Sequence, residues 1–140
     1  MNKLREIELG FLNDTFEKSI AYYESIQNSD GGFPYNDVGS PSGFWATSGI
    51  LWSIVQISKY QNSKFLQKAT DYLSKNLSYE GYLPLTISGD KPNIDGTAQF
   101  LLALSVIYQE NKNEEILKKI NKITEWLCRI TTNGGYGFFS

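Results

Sequence analysis

The chain has 140 residues, a formal net charge of -2, 41% hydrophobic and 20% charged residues. That composition supports one modest core in a single domain spanning 1–140, and the lack of a long basic run argues against binding nucleic acid. With no histidine and a single cysteine, Cys128, an intrachain disulfide, a His-containing zinc site, a His general base and a Ser-His-Asp triad are all excluded within the chain.

The N-terminal run "MNKLREIELG" is charged rather than apolar, unlike a signal peptide. No segment is apolar for long enough to span a bilayer. A cytoplasmic protein, or a piece of one, is expected. No cofactor and no metal site is read from the sequence.

Helical spacing dominates. Leu4, Ile7, Phe11, Phe16, Ile20 and Tyr23 recur at helical intervals, and Asp14 with Glu17 forms a capping-box pattern that predicts a helix start at Asp14. Phe65, Leu66, Ala69, Tyr72 and Leu73 make a second stripe. Ile116, Leu117, Ile120, Ile123, Trp126 and Leu127 make a third. Each shares its helix with polar residues, as on a helix with one wet face. Two segments differ: Phe44 to Ile57 and Thr97 to Tyr108 carry no charge at all. A helix apolar on nearly all sides must be covered on nearly all sides. The predicted order is outer, inner, outer, inner, outer.

The segments repeat. "FEKSIAYYESIQNSDGGF" from Phe16, "LQKATDYLSKNLSYEGY" from Leu66 and "INKITEWLCRITTNGGY" from Ile120 are alike. Gly32-Phe33, Gly81-Tyr82 and Gly135-Tyr136 close the three units, and "WATSGILWSIV" parallels "TAQFLLALSVI". The period is about fifty residues, within the range of repeat architectures. Glycine ends each helix in a left-handed conformation, and the aromatic after it packs back on the helices. Stacked neighbours then bury the inner helices.

The pattern carried by Tyr22, Tyr23, Gln27, Asp30, Gly31, Gly32 and Phe33, with Thr97, Ala98, Leu101, Leu102, Ala103 and Leu104 of the second inner segment, resembles the repeat of the prenyltransferase and squalene-cyclase family. The resemblance covers nearly the whole chain after Asp14. It implies an all-α fold, a partial α/α toroid of about two and a half helical hairpins, where a closed ring has about six. The chain reaches Ser140 just after the third glycine turn, where another inner helix is due. The expectation is either part of a longer protein or an open arc whose inner helices are covered by a protein partner, by self-association, or by an apolar isoprenoid-like ligand.

Class II terpene cyclases of that family open an inner helix with Asp-x-Asp-Asp-Thr-Ala, whose middle Asp is the general acid. Asp95 matches that position and Thr97-Ala98 match the tail, but Asn93 replaces the first Asp and Gly96 the last. The carboxylates that would tune the acid are missing. Asp95 is thus read as a helix cap, with an acid and a ligand contact as the other possibilities. Zinc-dependent relatives need a His, which is absent, and Cys128 is expected in the core.

Phe33, Tyr35, Phe44, Trp45 and Trp52 gather near the first turn and inner helix. They fit either a packed core or the lining of an apolar cavity. Asp30, Asp37, Asp90 and Asp95 lie in or beside the turns, and carboxylates with aromatics also suit a sugar-cleaving α/α barrel. The loops Tyr35 to Gly43 and Thr86 to Asn93 are rich in Gly, Pro and Ser, and belong on the surface where binding residues usually sit. The expected function is a non-catalytic binding module. The alternative is part of a terpene-cyclase-like enzyme.

Overall fold

A computed structural model describes the backbone of residues 3–89 and 91–132. The chain is mostly helical. Helix α1 spans Lys3–Ile26, β1 Phe33–Pro34, β2 Ser42–Gly43, α2 Phe44–Val55, a 3₁₀ turn Ser58–Tyr60, α3 Lys64–Asn76, α4 Ile94–Asn111 and α5 Glu114–Thr132. The two short strands pair antiparallel, Phe33 with Gly43 and Pro34 with Ser42. An isolated bridge, Pro84 with Pro92, stands at the matching place before α4.

The periodicities explain the packing. On α3 the buried residues are Phe65, Leu66, Ala69, Tyr72 and Leu73, one stripe on an otherwise polar helix. Helix α2 and the uncharged stretch Thr97 to Tyr108 of α4 put the two helices along each other at the centre, with α3 against α2 and α5 against α4. Leu51 and Val55 of α2 join Phe100 and Leu104 of α4 in a core that also takes Phe33 and Leu83 from the turns. Burying such a side chain contributes roughly 1.5–3 kcal/mol each. Between α4 and α5 the chain breaks at Lys112, in the left-handed region with φ 52°. There Asn113 accepts from the Glu115 N–H at 2.8 Å and restarts the helix.

Helix α1 is continuous through Asp14, which corrects the predicted helix start there. Asp14 instead pairs with Lys18 one turn on, at 2.7 Å on the exposed face. The acidic residue suits the middle of a helix when a lysine follows at i+4. The side chains of Leu4, Ile7 and Phe11 lie outside the described residues, as does the third glycine turn. A second link, Lys59 Nζ to Glu17 Oε1 at 2.6 Å, ties α1 to the 3₁₀ turn. The hydrogen bond between them holds the Glu17 carboxyl below, and the Lys59 ammonium above, their ordinary values. Both groups are exposed, so the pair positions α1 more than it stabilises it.

The repeat is visible in the hydrogen bonds, in a register fifty positions apart. The Phe33 N–H donates to Thr47 Oγ1 at 2.9 Å, and the Thr47 hydroxyl donates to the Gly43 carbonyl at 2.7 Å. Fifty positions on, the Leu83 N–H donates to Thr97 Oγ1 at 2.9 Å, and the Thr97 hydroxyl to the Asn93 carbonyl at 2.6 Å. Tyr35 N–H to Pro41 O at 3.0 Å recurs as Leu85 N–H to Lys91 O at 2.7 Å. Gly31 and Gly81 share a positive φ, 93° and 106°.

This register corrects two pairings read from sequence. Gly81 matches Gly31 rather than Gly32, so Leu83 takes the place of Phe33. Between the inner helices Thr97 matches Thr47, a shift of two from the alignment of similar letters. The threonine contact and the glycine conformation fix the register, whereas aromatic identity at a given step does not.

Both threonines are fully buried. Thr47→Val and Thr97→Val are each expected to lower stability by about 1–3 kcal/mol, because a buried N–H loses the hydroxyl that accepts from it. Thr→Ser, which keeps the hydroxyl, is expected to lower it by less. Urea unfolding of the four variants measures this.

Candidate functional site

Each hairpin, Phe33 to Gly43 and Leu83 to Asn93, leads directly into the N-terminus of one of the two central helices. Local hydrogen bonds hold the first one firmly. Asp30 Oδ1 accepts from the Gly32 N–H at 3.0 Å and from the Ser42 hydroxyl at 2.7 Å. Asn28 Nδ2 donates to the Ser40 carbonyl at 3.0 Å and to Ser42 Oγ at 2.9 Å. Gln27 Nε2 donates to the Gly31 carbonyl at 2.9 Å and, across to α3, to the Phe65 carbonyl at 2.7 Å. In the second turn a single group does similar work: Ser78 Oγ accepts from the N–H groups of Gly81 and Tyr82 at 3.1 and 3.0 Å.

Tyr72 of α3 closes the first turn from behind. Its ring stacks on Phe44 at 5.5 Å, and its hydroxyl donates to the Ser42 carbonyl at 3.2 Å. Burial, with the Asp30 carboxylate as the lesser cause, pushes that hydroxyl up to about 12.

The sequence-derived site residues separate into two groups. Phe33 and Phe44 are fully buried core, and Trp52 is half-buried against it. Asp30 is engaged in the turn. Tyr35 and Trp45 are exposed, and so are Asp37 and Asp95. Asp90 lies outside the described residues.

Asp95 sits in the first turn of α4 but does not cap it. The cap is Asn93, whose Oδ1 accepts from the Gly96 N–H at 2.9 Å, and Asn93 is buried. The helix begins two residues earlier than the sequence suggests, at Ile94, so the capping position falls on Asn93. Cys128 is exposed on α5 rather than in the core, because Ile123 and Trp126 define the inward face of that helix.

The exposed apolar side chains are unevenly placed. Among the described residues eight large ones are exposed, and five of them, Tyr35, Val38, Leu85, Ile87 and Trp45, lie on the two hairpins or in the turn of α2 that follows. Trp45 is 54% exposed. It borders an open depression of about 330 Å³ also lined by Tyr23, Ala46, Gly49, Ile50 and Ser53. The sequence reading placed the loops at the rim but missed Val38, Leu85 and Ile87. Their signal was present: apolar residues inside Gly-, Pro- and Ser-rich loops have no helical face to serve. Among the described residues no three acidic or cysteine side chains gather as a metal site would require, and no helix is long and apolar enough to cross a membrane.

The raised Tyr72 hydroxyl sets a pH dependence. Its ordinary value near 10 applies to the unfolded chain, which therefore loses the proton first as pH rises. Stability should be fully present below about 10 and decline up to about 12. Tyr72→Phe should flatten that decline, as read by urea unfolding at stepped alkaline pH.

Comparison with known proteins finds no matching family model, no similar curated protein and no similar solved structure.

Proposed function

We propose that the chain is a non-catalytic binding module, an open section of an α/α toroid built on prenyltransferase- and squalene-cyclase-like repeats. Its two hairpins and Trp45 hold an apolar ligand or the apolar surface of a protein partner. The observation that carries this reading is the concentration of exposed apolar side chains on two hydrogen-bonded hairpins. Exposed apolar groups clustered on rigidly mounted loops are characteristic of binding surfaces. The recurrence of turn geometry at fifty positions supports the toroid reading.

The terpene-cyclase alternative rests on Asp95. A carboxylic acid able to protonate a double bond has to be withdrawn from water or crowded by like charge. Asp95 is exposed, and the neighbouring Asn93 is spent on capping the helix. Both facts favour the non-catalytic reading.

Titration with farnesol, followed by tryptophan fluorescence, tests the ligand arm. Saturable binding is expected, weakened about tenfold or more by Trp45→Ala and by Val38→Lys with Ile87→Lys, and unchanged by Asp95→Asn. Binding indifferent to the hairpin variants removes the assignment of the surface. Turnover of a polyprenyl substrate that Asp95→Asn abolishes, with helicity intact, would restore the enzyme.

A further inference from the structure

Each glycine turn docks on the outer helix that follows it. A Cβ at Gly31 would lie 2.5 Å from the Lys68 carbonyl oxygen on α3, and one at Gly81 would lie 2.5 Å from the Lys122 carbonyl oxygen on α5. Around those contacts the helix surface is covered. Ala69 and Tyr72 are buried on α3, and Ile123 and Trp126 on α5. Tyr72 meets Gly32 of the preceding turn and Phe44 at the start of α2, and Trp126 meets Tyr82 at 5.3 Å.

Helix α1 carries the same surface uncovered. Lys18, Ser19 and Tyr22 precede Lys68, Ala69 and Tyr72 by fifty positions. Tyr22 is 54% exposed, where Tyr72 is 6% and Trp126 4%. Thr15, Lys18, Ser19, Tyr22 and Tyr23 line an open depression of about 320 Å³, and among the described residues no turn lies against it. The sequence supplies a matching turn. Gly135 follows Trp126 by nine positions, as Gly31 follows Tyr22 and Gly81 follows Tyr72. That turn lies outside the described residues.

We infer that the depression on α1 is a docking surface for the third glycine turn of a second copy of this chain, so that copies associate head to tail. The fit is demonstrated twice within one chain, on α3 and on α5, by turns of the same kind. The contact is heterologous: one end of a copy meets the other end of its neighbour. It uses Tyr22 as an aromatic anchor and adjoins the depression beside Trp45, with which it shares Tyr23.

Light scattering across a concentration series tests this with two single variants. Ser19→Arg fills the depression from the exposed face of α1, where folding is not at stake. Gly135→Val puts a branched side chain where the two equivalent glycines have no room. The wild-type mass is expected to rise with concentration, and each variant alone should weaken association by about tenfold or more. Mixed together, the two variants should form a dimer and go no further, since one retains the turn and the other the docking surface. A wild-type monomer at every concentration overturns the inference. So does association that either variant leaves unchanged, or a mixture that fails to dimerise while both variants keep wild-type helicity by circular dichroism.

Discussion

The arrangement depends on one side-chain oxygen used twice. In each unit a buried threonine hydroxyl accepts from the backbone N–H that enters the hairpin and donates to the carbonyl four residues before it, where the hairpin ends. One atom thus joins the start of the hairpin, its end and the first turn of the inner helix. Buried backbone groups must be paired, and a hairpin only two residue pairs deep cannot pair them all through its own ladder. The threonine supplies the missing partner. Without it the core residues Phe33 and Leu83 would have no fixed point from which to enter the core.

The helices were legible because their periodicity is strong. The α3 stripe fell on the buried face in full, and the uncharged segments became the two central helices. Contacts between parts distant in sequence were less legible. Gly31 and Gly32 are indistinguishable as letters, but only one of them sits against the α3 backbone. Asn93 looked like a lost carboxylate and is a cap. Asp14 looked like a cap and is part of a mid-helix ion pair. Short polar residues serve either role, and the choice is made by where the neighbouring backbone leaves an N–H without a partner.

The candidate surface was half legible for a related reason. Aromatic residues near the first turn stood out, but letters alone do not divide them. Phe33 and Phe44 point into the core, while Tyr35 and Trp45, two and one residues away, remain outside. Tyr35 lies just past the two-residue strand β1, where the chain runs into an exposed stretch, and in a helix one step rotates the side chain by about a hundred degrees. Which of two adjacent rings is buried is therefore decided by register, and the threonine and glycine contacts set that register.

The close approach of each turn glycine to the next outer helix has a consequence for how such a chain can vary. Backbone touches backbone there, so that step cannot lengthen or take up bulk without parting neighbouring units. The hairpin tips, by contrast, touch solvent on most sides and make few contacts beyond their own strands. The exposed residues 36–39 and 86–88 are where exchange or extension should leave the helical frame in place. The fold behaves as a fixed mounting with interchangeable fingertips, and its history of use should be written in those tips rather than in the helices that carry them.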